Sequence, residues 1–140
     1  MPLNNELLRS SFELVVERAP NLTERFYDIL FARYPQTRAM FHRNRRQDQE
    51  KMLTAALAAV IDHLDDVPWL SSQLGALGDR HKDYGITLEM YDWVGSSLLA
   101  TLEEVAGKDW SPALEDAWSE AYAVIVSLMN PVPLSEQVAV

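Results

Sequence analysis

Residues 70–86 read LSSQLGALGDRHKDYGI, and this stretch predicts a helix whose apolar face ends in a histidine. Leu70, Leu74, Leu77, His81 and Tyr84 recur at three- and four-residue intervals, which place them on one side of a helix. A histidine that faces a protein core needs a partner, because burying an unpaired imidazole is unfavourable. The pattern leaves that partner open: it can be a carbonyl, a carboxylate, a water molecule or a metal ion.

Composition excludes several classes of protein. The chain of 140 residues is long enough for one domain with a sizeable core, and its formal net charge of −9 disfavours binding to nucleic acids or anionic membranes. It contains no cysteine, which excludes disulfides, thiolate catalysis and cysteine-ligated metals. No apolar run reaches the roughly 18 residues of a membrane span, and the first residues lack the features of a secretory signal. We therefore expect a cytoplasmic protein.

Apolar residues recur at helical spacing along the whole chain, and no segment shows the alternation of a strand. Pro35, Pro68 and Pro112 mark helix starts, whereas Gly85 and Gly107 mark helix ends. This pattern predicts an all-α domain. The predicted helices cover roughly residues 4–18, 21–34, 35–41, 48–64, 68–84, 88–106 and 112–129.

Two of these helix starts carry candidate capping groups. Asn21 with Glu24 three residues later resembles a capping box, which would satisfy free N–H groups at the start of the second helix. Asn44 with Gln47, or Asp48 alone, is a candidate for the same role at the start of the 48–64 helix.

One constellation in the sequence carries possible chemistry. Motifs for nucleophilic catalysis, phosphate binding and zinc hydrolysis are missing from the sequence. His42 and His63 are too far from His81 along the chain to define a metal site. A lone histidine on an apolar helical face fits either a core residue bonded within the protein or the single proximal ligand of a haem iron. Tyr27 and Gln49, polar residues on otherwise apolar faces, are the candidates for the opposite side of such a haem, or else a rim tyrosine and a solvent-facing glutamine.

Five segments together resemble the globin family, in particular single-domain bacterial haemoglobins and the globin half of flavohaemoglobins. Each is weak alone, but their order and spacing are specific, and the resemblance covers about residues 5 to 129. The segments are FYDILFARYPQTRAMF (26–41), QEKML (49–53), RHKDYG (80–85), EMYDWVGSSLL (89–99) and AWSEAYAVI (117–125).

The resemblance implies a globin fold of about six to seven helices around a haem pocket, with residues 1–130 as the domain and 131–140 as a flexible tail. His81 matches the proximal iron ligand of a haem b. Tyr27 and Gln49 match the distal residues that contact the bound gas. Phe41 matches the phenylalanine that packs on the porphyrin, and Tyr91 a tyrosine that contacts the proximal histidine. The other expected haem contacts are Leu53, Leu77, Ile86, Val94 and Leu98.

The resemblance also implies a function. It is reversible O2 binding or transport at ferrous iron, with NO and CO as further ligands and nitric-oxide dioxygenation as the associated, detoxifying activity. No flavin or nicotinamide module follows residue 130 in the sequence, so turnover is expected to need an external reductase. Two alternatives stay open: a haem-based sensor or electron-transfer globin, and a cofactor-free helical interaction module. The charged faces suit a monomer or a weak homodimer.

One feature of flavohaemoglobins does not carry over to this sequence. Their last helix supplies a carboxylate that completes a proximal histidine–tyrosine–glutamate network. Counting from Tyr122 places Pro133 at that position, and Glu136 lies beyond two prolines. The sequence therefore leaves open whether Glu136 replaces the missing carboxylate.

Overall fold

The computed structural model describes residues 3–41 and 45–131, and within these ranges the chain is helical with no strand. The all-α prediction is confirmed. Six α-helices and two short 3-10 helices follow one another. They are α1 (Asn5–Arg18), α2 (Leu22–Arg33), a 3-10 helix (Pro35–Phe41), α3 (Arg46–Asp62), α4 (Val67–Asp83), α5 (Leu88–Ala106), a 3-10 turn (Gly107–Asp109) and α6 (Pro112–Met129).

Side-chain caps explain where several helices begin. Ser111 accepts a hydrogen bond from the backbone of Leu114 at the start of α6, as its Ser-Pro sequence predicts. Asp66 caps α4 and Thr87 caps α5 in the same way. These bonds satisfy N–H groups that have no partner within the first helical turn.

The capping box predicted at Asn21 is wrong. Its backbone angles of φ −98° and ψ 28° lie outside the extended region that a capping side chain needs, and it makes no side-chain cap bond. At the start of α3 the capping position is occupied by Arg45, which has no acceptor atom and makes no cap bond. Gln47 and Asp48 lie inside the helix. Asn44 lies outside the described residues.

Glycines end two helices as predicted. Gly85 follows α4 with φ +80°, and Gly107 follows α5 with φ +56°. Both angles fall in the left-handed region, where glycine avoids the strain that a Cβ atom would add. These turns set the directions in which α5 and α6 leave the preceding helix.

Helix α6 packs closely against both α4 and α5 at glycines. A Cβ atom on Gly78 would lie 1.8 Å from the Met129 carbonyl oxygen, and one on Gly95 would lie 2.5 Å from the Tyr122 ring. The backbone of α4 therefore rests on the backbone of α6. This contact fixes the position of α4, which carries His81, relative to α6.

The buried residues form two apolar clusters. The larger cluster is built around α1, α2, α5 and α6 and includes Tyr27 and Leu98. The smaller cluster lies between α4, α5 and the end of α6 and includes Leu74 and Tyr91. Val60 of α3 packs against both clusters, so α3 lies at the boundary between them.

A few residues predicted on apolar faces are exposed instead. Tyr84 follows the last residue of α4, so its side chain leaves the face that carries His81. Leu88 is the first residue of α5, and Met52 lies on the outer side of α3. Val16 near the end of α1 is also exposed. Periodicity overestimates burial near helix ends, because the last turn extends past the core.

Candidate functional site

The His81 side chain lies in the last turn of α4 and is fixed by its own helix. Its Nδ1 atom is 2.8 Å from the carbonyl oxygen of Leu77, and its ring stacks on Tyr91 with a centroid distance of 6.0 Å. A carbonyl oxygen can only accept, so Nδ1 is the donor of this bond. The arrangement therefore leaves Nε2 as the ring nitrogen that can bind a metal ion.

His63 shows which part of this arrangement is distinctive. Its Nδ1 atom makes the same bond within its own helix, 2.7 Å from the Ala59 carbonyl. However, its ring lies face to face with Trp69 at a centroid distance of 3.6 Å, at the far end of α3 from Gln49. The local bond alone does not distinguish the two histidines, whereas their surroundings do. His42 lies outside the described residues.

Tyr27 and Gln49 are brought together by the contact between α2 and α3. Tyr27 is only 3% exposed, and the Gln49 side chain lies near its hydroxyl. Burial raises the pKa of Tyr27 above its usual value, and the nearby Gln49 side chain partly opposes that increase. The hydroxyl therefore keeps its proton at neutral pH and can act as a hydrogen-bond donor. Gln49 is half-buried rather than solvent-facing.

Aromatic rings surround the Tyr27 side chain. The Phe41 ring centroid lies 5.3 Å from that of Tyr27 with an interplanar angle of 70°, and Phe31 lies 5.8 Å from Tyr27. Phe31 and Phe41 also contact each other at 5.7 Å. Such edge-to-face pairs stabilise one arrangement of the rings. Phe41 thus lies beside Tyr27. Its predicted contact with a porphyrin stays a prediction.

The remaining predicted contacts divide between the two apolar clusters. Leu53 and Val94 pack against the larger cluster, which also contains Leu98. Leu77 and Ile86 pack against the smaller one. Apart from Leu98 and Tyr91, the predicted apolar contacts are only half-buried. They are Phe41, Leu53, Leu77, Ile86 and Val94.

Tyr91 has a buried hydroxyl without a clear partner. Within residues 3–41 and 45–131 this hydroxyl makes no hydrogen bond. Burial raises the pKa of Tyr91, and the nearby Asn130 side chain opposes part of the increase. Tyr122 donates its own hydroxyl to the Tyr91 carbonyl, so the backbone beneath the ring is fixed. Pro133 and Glu136, on which the carboxylate question depends, lie outside the described residues.

The residues present fit a haem better than a bare metal ion. Within the described ranges, no group of three or more histidine, aspartate or glutamate side chains could hold a metal. A porphyrin brings four nitrogen ligands of its own and needs only one imidazole from the protein. The half-buried apolar side chains near His81 and Tyr27 offer the surface that such a planar group would cover.

Sequence reasoning missed an ionic network beside the Tyr27–Gln49 pair. Arg46 donates hydrogen bonds to Asp28, to Glu50 and to the carbonyl oxygen of Glu24. The four-residue spacing to Glu50 was a usable signal. The link to α2 was not visible, because it joins positions 18 residues apart.

No helix within the described part of the chain is both long enough and apolar enough to cross a membrane.

Comparisons with known proteins identify the family. The Globin family model matches residues 24–129. The chain is 34% identical over 122 residues to flavohemoproteins of Bacillus thuringiensis subsp. konkukian and of Bacillus anthracis. That match covers 86% of this chain but 30% of each relative. The chain thus spans less than a third of the length of these curated relatives.

Two solved structures share the fold. One is an engineered carbene transferase, a candidate nitric oxide dioxygenase from Rhodothermus marinus, with 27% identity and a TM-score of 0.77 over 89% of this chain and 87% of that one. The other is a bacterial globin from Campylobacter jejuni, with 23% identity and a TM-score of 0.75 over 89% and 90% of the two chains. The predicted resemblance is confirmed, and the chain belongs to the globin family.

Proposed function

We propose that this globin is a haem protein that binds O2 reversibly, accepts NO and CO as further ligands, and converts nitric oxide to nitrate. The observation that carries the proposal is the buried Tyr27 hydroxyl, which lies near the Gln49 side chain among aromatic and aliphatic side chains. A polar donor in such surroundings is useful for a polar ligand, because a hydrogen bond is stronger where water is excluded.

On the proximal side, His81 would hold a haem b through Nε2. The Leu77 carbonyl keeps the proton on Nδ1 and the ring in one orientation. When bound, haem supplies reversible coordination of O2, and O2, nitric oxide and one electron combine to give nitrate. We propose that a reductase supplies that electron.

On the distal side, Tyr27 and Gln49 would act on the ligand. The raised pKa of Tyr27 keeps its hydroxyl protonated, so it donates rather than repels a ligand that carries partial negative charge. Gln49 lies near that hydroxyl and would offer its own side-chain amide as a second donor. O2 is expected to leave slowly, whereas CO, which is less polar when bound, should benefit less.

The proximal partner of His81 is a carbonyl and not a carboxylate, which favours ligand binding over peroxide cleavage. A carbonyl accepts the Nδ1 hydrogen bond without a negative charge, whereas a carboxylate would draw the proton more strongly and make the imidazole a stronger electron donor. We therefore propose that reversible O2 binding and nitric-oxide dioxygenation are the activities of this site.

The relatives support the proposal in outline. The Bacillus relatives are named flavohemoproteins, and the Rhodothermus marinus structure is described as a candidate nitric oxide dioxygenase. By this analogy, we propose that the chain works in the cytoplasm with a reductase, as a monomer or a weak homodimer.

The experiment that tests the proposal is an absorption spectrum of purified protein supplied with haem, recorded before dithionite, after it, and again in air. We expect a Soret band that shifts on reduction and a stable spectrum of the oxygenated protein. His81→Ala should lose both, whereas His63→Ala, which removes a histidine with the same local bond, should retain them. Absence of saturable haem uptake by the wild-type chain would contradict the proposal.

If the oxygenated protein forms, adding nitric oxide should yield one nitrate per haem in a single turnover. Catalytic turnover should then depend on an added reductase. Formation of a stable oxygenated protein that gives no nitrate would limit the function to O2 binding.

A further inference from the structure

Arg46 lies at the point where the first turn of α3 meets α2, next to the two polar distal residues. Its Nη2 atom is 2.6 Å from the Asp28 carboxylate and 2.9 Å from the Glu24 carbonyl oxygen. Its Nε atom is 2.9 Å from the Glu50 carboxylate. One guanidinium therefore joins two positions on α2 to one position on α3.

The partners of Arg46 are sequence neighbours of the distal pair. Asp28 follows Tyr27 on α2, and Glu50 follows Gln49 on α3. A shift of Arg46 relative to either carboxylate therefore moves the backbone that carries Tyr27 or Gln49. The charges of Arg46 and Glu50 also reach the Tyr27 hydroxyl, where they act on its pKa in opposite directions.

Arg46 also covers the aromatic group beside Tyr27. Its guanidinium carbon lies 5.9 Å from the centroid of the Phe31 ring, and that of Arg38 lies 5.1 Å from the same ring. Guanidinium groups stack favourably on aromatic faces. The Phe31 ring in turn contacts both Tyr27 and Phe41.

Among the residues that the structure describes, no side-chain cap bond fixes the start of α3. Its capping residue, Arg45, makes no side-chain cap bond, so the first turn lacks the hydrogen bond that usually fixes a helix start. Exposed ion pairs add little to global stability. A planar guanidinium with three acceptors instead fixes direction and distance, which is what a hydrogen-bonding pair needs.

We propose that Arg46 is a positioning residue, which ties the first turn of α3 to α2 and so sets the spacing of the Tyr27–Gln49 pair. The inference rests on the proposed function, because it assigns Arg46 to the control of ligand release. Arg46 does not touch the ligand in this role and acts through the two helices.

The test compares Arg46→Gln with Arg45→Gln in the haem-loaded protein. The two substitutions remove the same charge from adjacent positions. Among the described residues, however, the Arg45 side chain pairs only with Asp48, three residues further along the chain, and it is 89% exposed. By stopped-flow, Arg46→Gln should speed O2 release about fivefold, the size expected for one weakened hydrogen bond. Arg45→Gln should change it less than twofold.

Two further measurements separate positioning from general loss of structure. The infrared stretch of bound CO should broaden or split in Arg46→Gln, because the distal pair would adopt more than one arrangement. In a Tyr27→Phe background, Arg46→Gln should have no added effect on O2 release, since the group that it positions is gone. Equal and additive effects in both backgrounds would overturn the inference.

Hydrogen exchange tests the inference even if the proposed function fails. The backbone N–H of Gln49 donates to the Arg45 carbonyl oxygen at 3.0 Å, so its exchange rate reports on the first turn of α3. It should exchange faster in Arg46→Gln than in Arg45→Gln, with or without haem. Failure of haem uptake would refute the haem function alone, whereas equal exchange rates in the two variants would refute the role of Arg46.

Discussion

The two sides of the candidate site are held by different kinds of contact. The proximal side depends on the backbone: α4 rests on α6 at Gly78, the Leu77 carbonyl fixes His81, and Tyr122 bonds to the Tyr91 carbonyl. The distal side depends on side chains: Tyr27 lies near Gln49, and the half-exposed Arg46 joins their helices.

This difference indicates which side of the site tolerates substitutions. A backbone contact leaves almost no freedom, since even one methyl group would collide. A network of partly exposed side chains can change with small loss of stability. Ligand affinity should therefore be tunable from the distal side, while the position of the proximal histidine stays constant.

The largest effect is expected where the proximal contact is broken. In Gly78→Ala the new Cβ would lie 1.8 Å from the Met129 carbonyl oxygen, so α4 and α6 must separate. We expect a loss of about 3 kcal/mol in unfolding free energy, as for severe overpacking. Thermal denaturation measures it, with Gly75→Ala as the control.

That control lies one turn earlier on the same face, where the nearest atom to a new Cβ is 4.0 Å away. Gly75→Ala should be neutral or stabilise the protein by up to about 1 kcal/mol, because alanine favours a helix more than glycine does. Similar loss in both variants would show that α4 does not depend on this contact.

The next largest effect concerns the distal side. Tyr27→Phe keeps the ring and removes the donor, so O2 release should accelerate by roughly ten- to a hundredfold, equivalent to about 1–3 kcal/mol. Gln49→Leu should accelerate it less, because the buried Tyr27 hydroxyl remains. Stopped-flow release rates that barely change in Tyr27→Phe would remove Tyr27 from the site.

Two tyrosines sharpen the contrast within the proximal side. Tyr122→Phe removes a hydroxyl that bonds to the Tyr91 carbonyl, and should lower stability by about 1 kcal/mol. Tyr91→Phe removes a buried hydroxyl that has no partner among the described residues, so stability should stay equal or rise by about 1 kcal/mol. Chemical denaturation of both variants checks the order, and a larger loss in Tyr91→Phe would point to a partner for its hydroxyl.

The smallest effect is expected far from both sides. Asp65 accepts hydrogen bonds from Arg9 and Asn5, which hold the pKa of this exposed carboxylate below its usual value. A lowered pKa in the folded state means that the pair stabilises the protein above the unfolded pKa, near 4, and that this stability is lost as acid protonates Asp65. The contribution is small because the pair is exposed.

Melting temperatures between pH 7 and pH 3 measure this effect. Asp65→Asn should fall less steeply in acid than the wild type does. Asp62→Asn is the control, since Asp62 has no ion-pair partner in the described part of the chain. Parallel acid curves for wild type and Asp65→Asn would show that the pair contributes nothing.

Much of the fold was predictable because its signals are local. Helical spacing predicted the helices. Gly85 and Gly107 predicted where two of them end, and the Ser111-Pro112 pair predicted where the last one begins, within a residue or two. Where prediction failed, backbone geometry decided the outcome. At Asn21 the residue type suits a cap, but the backbone angles do not allow it.

The candidate site was predictable where one residue type has few alternatives. A histidine on an apolar face suggested a bond to a carbonyl or a metal, and the Leu77 bond is there. The Arg46 network and the Gly78 contact were not predictable, because each joins positions that are distant in sequence and chemically ordinary. Only the folded chain brings such positions together.

The contact between α4 and α6 has a consequence for assembly of the holoprotein. Because it needs only backbone and apolar side chains, it should form while the chain folds, before any cofactor arrives. We then expect the apoprotein to present His81 in its final orientation, with the region around α3 ordering last. Cells short of haem would therefore accumulate an apoprotein in which the His81 side of the site is already formed.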